Sequence, residues 1–289
     1  MMKRNRFVLR LRSGALKLGE RTLVMGVLNV TPDSFSDGGR FFSAKRAIRH
    51  ALAMERAGAD LIDVGGESTR PGSFGISAEE ELRRVLPVLK GLKGRLRVPI
   101  SIDTVKAEVA EAALAAGAEM INDISGLRFD PRVAEVARRR RVPLLLMHIR
   151  GTPATMQKRP FARNIWRELE RGFSWSVKQA LRAGVKRSQL LIDPGIGFGK
   201  SAEQNLEIVR ELERLKKFRL PIVIGTSRKT FFGKALGGAP PAERLWGTAA
   251  TVAASILGGA HIVRVHDVAE MVQVARLADA ILNPKSLGG

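Results

Sequence analysis

Residues 98–103, Val-Pro-Ile-Ser-Ile-Asp, form a short apolar run that ends in a carboxylate. Such a run can be buried in a parallel sheet, but a carboxylate at its tip is costly there unless it is paired or partly hydrated. The chain has eight such runs, and nearly every one ends in polar or charged residues: Asn29, Asp63 to Glu67, Asp103, Asn122, His148, Asp193, Ser227 to Lys229, and Arg264 to His266. The pattern predicts one site that is assembled from the ends of many strands.

Segments with helical periodicity separate the eight runs. We predict strands at 24–29, 60–64, 98–102, 119–122, 143–147, 189–192, 221–225 and 261–265, and helices at 43–57, 78–93, 105–116, 131–140, 162–183, 203–217, 242–257 and 268–281. Alternating strands and helices imply right-handed crossovers and a parallel sheet, and eight repeats in about 250 residues match a (β/α)8 TIM barrel of the α/β class. A doubly wound open sheet is the alternative. In a barrel, the polar clusters all fall at the carboxyl ends of the strands, where ligands bind.

The first 22 residues precede the first strand and helix unit. Their alternating pattern at Phe7 to Arg12 predicts a β-hairpin that caps the barrel floor, so we divide the chain into an N-terminal arm, 1–22, and one barrel domain, 23–289. The arm lacks the apolar core of a signal peptide, and no stretch approaches the roughly 18 to 20 apolar residues of a membrane span. Because the chain has no cysteine, its fold needs no oxidising compartment, and we expect it in the cytoplasm.

The net charge of +21 raises the question of nucleic-acid binding, since Lys and Arg neutralise phosphates. The basic residues are spread over many predicted helices, however, and only Arg138 to Arg141 forms a run. We therefore assign the excess charge to solvated surface and small anionic ligands, with polynucleotide binding as the alternative. The chain has four histidines, no cysteine and no His-Glu-x-x-His motif, so we do not expect a zinc centre.

The end of the eighth run carries a possible anion site. Arg264 and His266 lie two residues apart and so share one face of a strand. If that face is the barrel mouth, a guanidinium and an imidazole converge on one anion, and Arg suits phosphate oxygens. The alternative is an ion pair between Arg264 and Asp267, with His266 capping the next helix.

Three further strand ends carry acceptor groups. Asp103, Asn122 and Asp193 would face one another across a barrel, where they could outline the edge of a flat, nitrogen-rich heterocycle. Acid–base or metal-binding carboxylates and simple helix capping remain as alternatives. The glycine-rich residues 193–201 are not a Walker A loop, because Pro194 stands where that motif requires glycine.

Two longer segments carry a specific resemblance. Residues 25–39 read Met-Gly-Val-Leu-Asn-Val-Thr-Pro-Asp-Ser-Phe-Ser-Asp-Gly-Gly, and residues 65–72 read Gly-Gly-Glu-Ser-Thr-Arg-Pro-Gly. Both resemble the signature loops of the dihydropteroate synthases, folate-pathway transferases of the pterin-binding barrel family. Shorter matches follow in family order over nearly all of the chain after residue 22: residues 102–104, 121–123, 193–200, 225–229 and 264–267. Residues 147–153, Met-His-Ile-Arg-Gly-Thr-Pro, depart from the family's usual Met-His-Met-Gln-Gly-Thr-Pro.

The resemblance implies that (7,8-dihydropterin-6-yl)methyl diphosphate reacts with p-aminobenzoate to give 7,8-dihydropteroate and diphosphate. It also implies a Mg²⁺ cofactor and a homodimer. By the same resemblance, the pterin would contact Asp103, Asn122, Asp193, Lys229 and Met147, and Mg²⁺ would be bound by Asn29. The diphosphate would contact Thr69, Arg70, Arg264 and His266. The p-aminobenzoate would contact Ser227, Lys229, Pro32 and Phe35, and Gly225 would be a further substrate contact. Catalysis would rest on binding and electrostatics from Asn29, Asp103, Asp193, Lys229, Arg264 and His266, without an enzyme nucleophile.

The sequence is also compatible with two other functions. A methyltetrahydrofolate-dependent corrinoid methyltransferase shares the pterin-binding barrel, but the loop from Asn29 to Gly39 and the segment Ser227-Arg228-Lys229 suit diphosphate and aniline substrates better. A non-catalytic barrel that binds RNA or serves as a regulatory scaffold would use the excess Lys and Arg as its binding surface.

Overall fold

The computed structural model describes residues 4–31, 40–158, 160–232, 237–238, 240 and 243–287, and for 40–43 and 286–287 only the backbone. The arm forms an antiparallel hairpin of β1 (Phe7–Arg10) and β2 (Ala15–Leu18). Eight parallel strands follow: β3 (Leu23–Asn29), β4 (Leu61–Gly65), β5 (Ile100–Asp103), β6 (Met120–Asp123), β7 (Leu144–Met147), β8 (Leu190–Asp193), β9 (Val223–Ile224) and β10 (Ile262–Val265). Strands β3 to β8 lie side by side in chain order, with β10 next to β3 and β9 next to β10.

The sheet closes on itself. Ile192 of β8 bridges in parallel to Ile222, just before β9, and its N–H donates to the carbonyl of Pro221. The helices between the strands are α1 (Arg40–Arg56), α2 (Ala78–Leu92), α3 (Ala107–Ala116), α4 (Arg132–Arg140), α5 (Ile165–Arg182), α6 (Ala202–Arg210), α7 (Leu245–Leu257) and α8 (Val268–Leu282). The (β/α)8 barrel with its N-terminal hairpin is confirmed. Within the described ranges, no helix is long and apolar enough to cross a membrane.

Two elements are much shorter than the sequence predicts. Strand β9 covers only 223–224 of the predicted 221–225, because Pro221 has no N–H to donate to a ladder. The predicted helix 203–217 ends at Arg210 and continues as a 3-10 helix, Leu212–Phe218. Leu212 and Leu215 are buried and three residues apart, a spacing that the 3-10 helix places on one face.

The lower half of the barrel interior is filled with apolar side chains. The inward-facing cluster consists of Leu23, Met25, Leu61, Met120, Leu145, Leu191, Val223 and Ile262, closed from below by Leu9 and Leu18 of the hairpin. A larger cluster packs the outer face of the strands against the helices. Since apolar side chains fill the floor, the polar strand ends meet at the opposite, carboxyl end of the barrel.

Arg4 fastens the arm to the end of the chain. Its guanidinium donates to Thr22 Oγ1 at 2.5 Å and to the carbonyl of Ala260 at 3.1 Å, and it pairs with Asp279 of α8. The Asp279 carboxylate also accepts from the N–H of Thr22 at 2.6 Å. This buried network joins the arm, β3 and the last helix.

We expect Arg4→Ala to lower the free energy of unfolding by about 2 kcal/mol, because the buried guanidinium donates to Thr22, Ala260 and the partly exposed Asp279, and all three lose a charged donor. Arg6→Ala is the control, since Arg6 pairs with Glu20 on the surface and exposed pairs contribute about 0–1 kcal/mol. Urea unfolding of both variants makes the comparison. Equal losses would show that the Arg4 network does not hold the arm in place.

Candidate active site

A network of charged and amide groups fills the upper half of the barrel. Arg264 on β10 donates through Nε to Asp63 Oδ2 at 2.6 Å and through Nη2 to Asp103 Oδ2 at 2.7 Å. Asn122 on β6 donates through Nδ2 to the same Asp63 oxygen at 2.9 Å. Asp63, Asp103 and Asn122 are all buried. Buried charges are tolerated when they are paired and hydrogen-bonded, so the four strand residues stabilise one another as a set.

The sequence alone does not single out Asp63, which is simply the first residue of the polar cluster 63–67. It is fully buried, and one carboxylate oxygen receives both Arg264 and Asn122. The signal that could have identified it is its position: a carboxylate inside the apolar run Leu61-Ile62-Asp63-Val64 must have a partner across the barrel. The alternative pairing of Arg264 with Asp267 is wrong, because Asp267 pairs with Arg228.

Asp193 and Lys229 lie beside this network. Asp193 is buried at the end of β8, and its Oδ1 accepts the N–H of Gly195 at 2.6 Å. The Lys229 ammonium lies 4.3 Å from the centroid of the Phe198 ring, a cation–π contact. Met147, paired in register with Asp193, belongs to the apolar cluster of Ile124, Met147, Ile149, Met156 and Phe198. The mouth therefore combines an apolar wall with convergent charges.

Burial shifts the pKa values of these groups. Burial raises the pKa of Asp103 to about 7, against the attraction of Arg264, and Asp63 adds to the rise. Burial likewise raises the pKa of Asp193 to about 6, opposed by the Gly195 N–H, Lys229 and Arg264. Burial and the charge of Arg264 lower the pKa of Lys229 to about 8. Titratable groups shifted toward neutrality in one concave region are typical of functional sites.

His266 is held by Ser227. Its ring Nδ1 lies 3.0 Å from Ser227 Oγ, and its backbone N–H donates to the same hydroxyl at 3.2 Å. Burial and then the charge of Arg264 lower the pKa of His266 to about 3. At neutral pH the imidazole is thus uncharged without ligand, and it offers a hydrogen bond where the sequence analysis expects a second cation. Gly225 borders the same region, since a Cβ there would lie 3.7 Å from Arg264 Cβ.

The loop after β4 carries Thr69 and Arg70. Lys106 donates to Glu81 Oε2 at 2.5 Å and also pairs with Glu67, which fixes the start of the loop. Thr69 is half-buried and Arg70 exposed, and within the described residues no hydrogen bond or ion pair joins Arg70 to the Arg264 network. Asn29 ends β3, opposite Gly65 in the register. Pro32 and Phe35 lie outside the described residues.

His148, the fifth strand ending, faces away from the mouth. Its ring is buried and packs edge-to-face on Phe173 of α5, with Gly172 so close that a Cβ there would clash with it. Burial and the charge of Lys200 hold the pKa of His148 well below its usual value. The side chain is therefore a neutral part of the packing between barrel and helix.

Comparison with known proteins agrees with this geometry. Residues 25–266 match the model of the pterin binding enzyme family. A dihydropteroate synthase of Synechocystis is 51% identical over 263 residues, 91% of each chain. Two solved structures are similar: the Clostridium difficile dihydropteroate synthase in the presence of pteroic acid (48% identity, TM-score 0.86, covering 91% of this chain and 98% of that one) and the Xanthomonas albilineans dihydropteroate synthase with 4-aminobenzoic acid (40% identity, TM-score 0.89, covering 96% and 99%). The chain belongs to the pterin-binding enzymes and, within them, to the dihydropteroate synthase family.

Proposed function

We propose that the protein condenses (7,8-dihydropterin-6-yl)methyl diphosphate with p-aminobenzoate, giving 7,8-dihydropteroate and diphosphate for folate biosynthesis. The observation that carries this proposal is the network of Asp63, Asp103, Asn122 and Arg264 at the barrel mouth, with Asp193 and Lys229 beside it. As part of the same proposal we place the enzyme in the cytoplasm, since a chain without cysteine needs no oxidising compartment.

The pterin ring presents N–H donors along one edge, and the described carboxylates are suited to accept them. Asp193 has one oxygen on the Gly195 N–H, and Asp103 has one on Arg264, so each carboxylate has further acceptor capacity. Asn122 can both donate and accept, and Met147 lies in the apolar wall. A ligand that lacks the donors would leave buried acceptors unpaired, so this arrangement discriminates strongly among flat rings.

The leaving diphosphate needs positive charge. Although burial acts against it, Asp63 and Asp103 raise the pKa of Arg264 above its ordinary value, so the guanidinium remains charged. Arg264 and the neutral His266 would meet the phosphate oxygens, with Thr69 and Arg70 reaching them from the loop after β4. The Asn29 amide oxygen, at the end of β3, fits Mg²⁺, which takes hard oxygen ligands and usually few from the protein. Bound there, Mg²⁺ would neutralise leaving-group charge.

The bond that breaks joins the pterin methylene carbon to the diphosphate oxygen, which leaves with the electron pair. The amine nitrogen of p-aminobenzoate then bonds to that carbon and loses a proton, so no enzyme nucleophile takes part. Asp103 and Asp193 favour positive charge that develops on the ring, an electrostatic contribution of the kind that is often the largest in catalysis. Ser227 and Lys229, with Pro32 and Phe35, would frame p-aminobenzoate, a compound with which the Xanthomonas enzyme was crystallised.

One assay tests this function: the two substrates are mixed with Mg²⁺ and the protein, and diphosphate and dihydropteroate are measured together. We expect both products in equal amounts. Methyl transfer from methyltetrahydrofolate to a corrinoid without diphosphate release would favour the methyltransferase. Tight, salt-sensitive RNA binding without turnover would favour the scaffold.

We expect pterin binding to weaken as the pH falls from about 7 to 5, because Asp193 and Asp103 become protonated through their raised pKa values of about 6 and 7. The free energy of unfolding of the ligand-free protein should instead rise as the pH falls. A folded-state pKa above the ordinary 3.8 contributes stability that is present below pH 4 and lost as the pH rises through 6 to 7. Calorimetric titration with a pterin and thermal melts at matched pH values check both slopes. Binding that is constant across this range would contradict the role of the carboxylates.

We also propose a homodimer through α7 and α8. These adjacent helices expose four large apolar side chains, Trp246, Leu257, Leu277 and Ile281. Leu277 and Ile281 are four residues apart and share one helix face. Exposed apolar side chains on one helix face are suited to protein contacts, and sedimentation of the protein beside Leu277→Arg would measure the association.

A further inference from the structure

Lys200 is a buried cation that the proposed mechanism does not use. It ends the glycine-rich segment after β8, and only 2% of its surface is exposed. Its ammonium group donates to three main-chain carbonyls: His148 at 3.1 Å, Gly195 at 2.8 Å and Phe198 at 3.0 Å. An ammonium has three protons, so these bonds use all of its donor capacity.

The three carbonyls belong to segments that carry the groups assigned to the pterin. The His148 N–H donates to the Asp193 carbonyl at 2.9 Å, and Met147 precedes His148. The Gly195 N–H donates to the Asp193 carboxylate at 2.6 Å. The Phe198 ring lies against the Lys229 ammonium. One ammonium thus connects the backbone around Met147, the backbone around Asp193, and the turn of Phe198, whose ring contacts Lys229.

The approach of these segments is unusually close. Gly195 has a positive φ of 65°, and a Cβ there would clash with the carbonyl oxygen of His148. Two carbonyls that point toward one place repel each other unless a donor lies between them, and Lys200 is that donor. The arrangement has a cost, since burial lowers the pKa of Lys200 to about 7, while the Asp193 carboxylate acts to keep it charged. An apolar side chain in place of Lys200 would avoid this cost, but it could not donate the hydrogen bonds that hold the three carbonyls together.

We propose that Lys200 is a positioning residue of the pterin site, whose ammonium holds the end of β7, the turn after Asp193 and the Phe198 turn in their ring-binding arrangement. This inference rests on the proposed function. Lys200 touches no substrate in it; it acts through the placement of Asp193, Met147 and Lys229.

Lys200→Met tests this, because methionine fills similar volume and has no donor. We expect the Kd for 6-hydroxymethyl-7,8-dihydropterin and the KM for the pterin diphosphate to rise about 10- to 100-fold, from the loss of charged hydrogen bonds. The KM for p-aminobenzoate should change much less. Gln204→Met is the matched control: Gln204 is also buried, on α6, and its side chain binds the backbone of Ala162 and Ser201, neither of which is hydrogen-bonded to Asp193 in the described part of the chain. It should lower the melting temperature and leave pterin affinity unchanged.

The outcomes separate the two proposals. A parent protein that binds no pterin and forms no dihydropteroate would overturn the proposed function itself. A parent that binds, with a folded Lys200→Met that binds equally well, would overturn the positioning role, as would an equal loss of pterin affinity in Gln204→Met. If Lys200→Met does not fold, Lys200→Gln decides, because its amide can still donate to two carbonyls. A rise in the Kd of Lys200→Gln above that of the parent protein supports the role, and an unchanged Kd overturns it.

Discussion

Asp63→Asn is expected to reduce kcat/KM by about 100-fold or more, and it should also lower the free energy of unfolding by about 3 kcal/mol. Asp63 Oδ2 accepts from Arg264 and from Asn122, so an amide removes the charge that balances Arg264 and weakens both bonds. Breaking a buried pair from one side leaves the other charge uncompensated. Asp103 would then be the one carboxylate left hydrogen-bonded to Arg264 among the described residues, and both the diphosphate group and the ring acceptors would lose their placement.

Asp60→Asn is the control for Asp63→Asn. Asp60 lies at the other end of the barrel, where it accepts from the Val24 N–H at 2.8 Å and pairs with the exposed Arg21. Its amide variant should lose some stability in urea and retain kcat/KM. Steady-state kinetics and urea unfolding of both variants complete the test. Parent-like turnover in Asp63→Asn would refute the view that this network organises the site.

The second large effect is expected for Asp193→Asn, which should weaken pterin binding and kcat/KM by about 100-fold, equivalent to about 2.7 kcal/mol. The amide oxygen can still accept the Gly195 N–H, so the turn should survive. The other position becomes a donor, however, and faces ring N–H groups that are also donors. Because burial raises the pKa of Asp193 to about 6, removing this charge should stabilise the ligand-free protein at neutral pH.

Asp123→Asn provides the comparison for Asp193→Asn. Asp123 is also buried at a strand end and has a pKa raised by burial to about 6. Its carboxylate is occupied by its own loop, accepting from Ser125 N at 2.8 Å, Ser125 Oγ at 2.7 Å and Leu127 N at 2.7 Å. Because that carboxylate binds its own loop and not the ring, we expect this variant to keep its pterin affinity. If both variants lose affinity equally, burial of a strand-end carboxylate, and not its contact with the ring, explains the loss.

The barrel could be predicted because apolar runs, helical periodicity and polar strand ends all agreed. The residual errors lie where local geometry decides, as at Pro221, which shortens β9, and at Leu212 and Leu215, which adopt 3-10 spacing. The location of Asp193 and Arg264 at the mouth follows from their place at strand ends. The pairing of Arg264 does not, because Asp63 and Asp103 lie 201 and 161 residues away and become neighbours only when the barrel closes.

The charge states of the buried residues could not be predicted from the sequence either. From the sequence, His266 is expected to be a second cation beside Arg264. In the structure, burial and the charge of Arg264 lower the pKa of His266, so its ring is neutral. Lys200 reads as the end of a glycine-rich turn, and nothing in its residue type indicates that three carbonyls would surround it. Such features depend on how much water each group loses, a quantity set by the whole packed barrel.

Some contacts of Arg4 can form only at the end of protein synthesis. Two partners of Arg4, Ala260 and Asp279, lie 256 and 275 residues further along the chain, so a ribosome that adds 5 to 20 residues per second exposes the arm roughly 13 to 55 seconds before they exist. During that interval Leu9 and Leu18 have no barrel floor to cover. The contact that fastens the hairpin to the barrel through Arg4 can therefore form only after Asp279 of α8 has been synthesised.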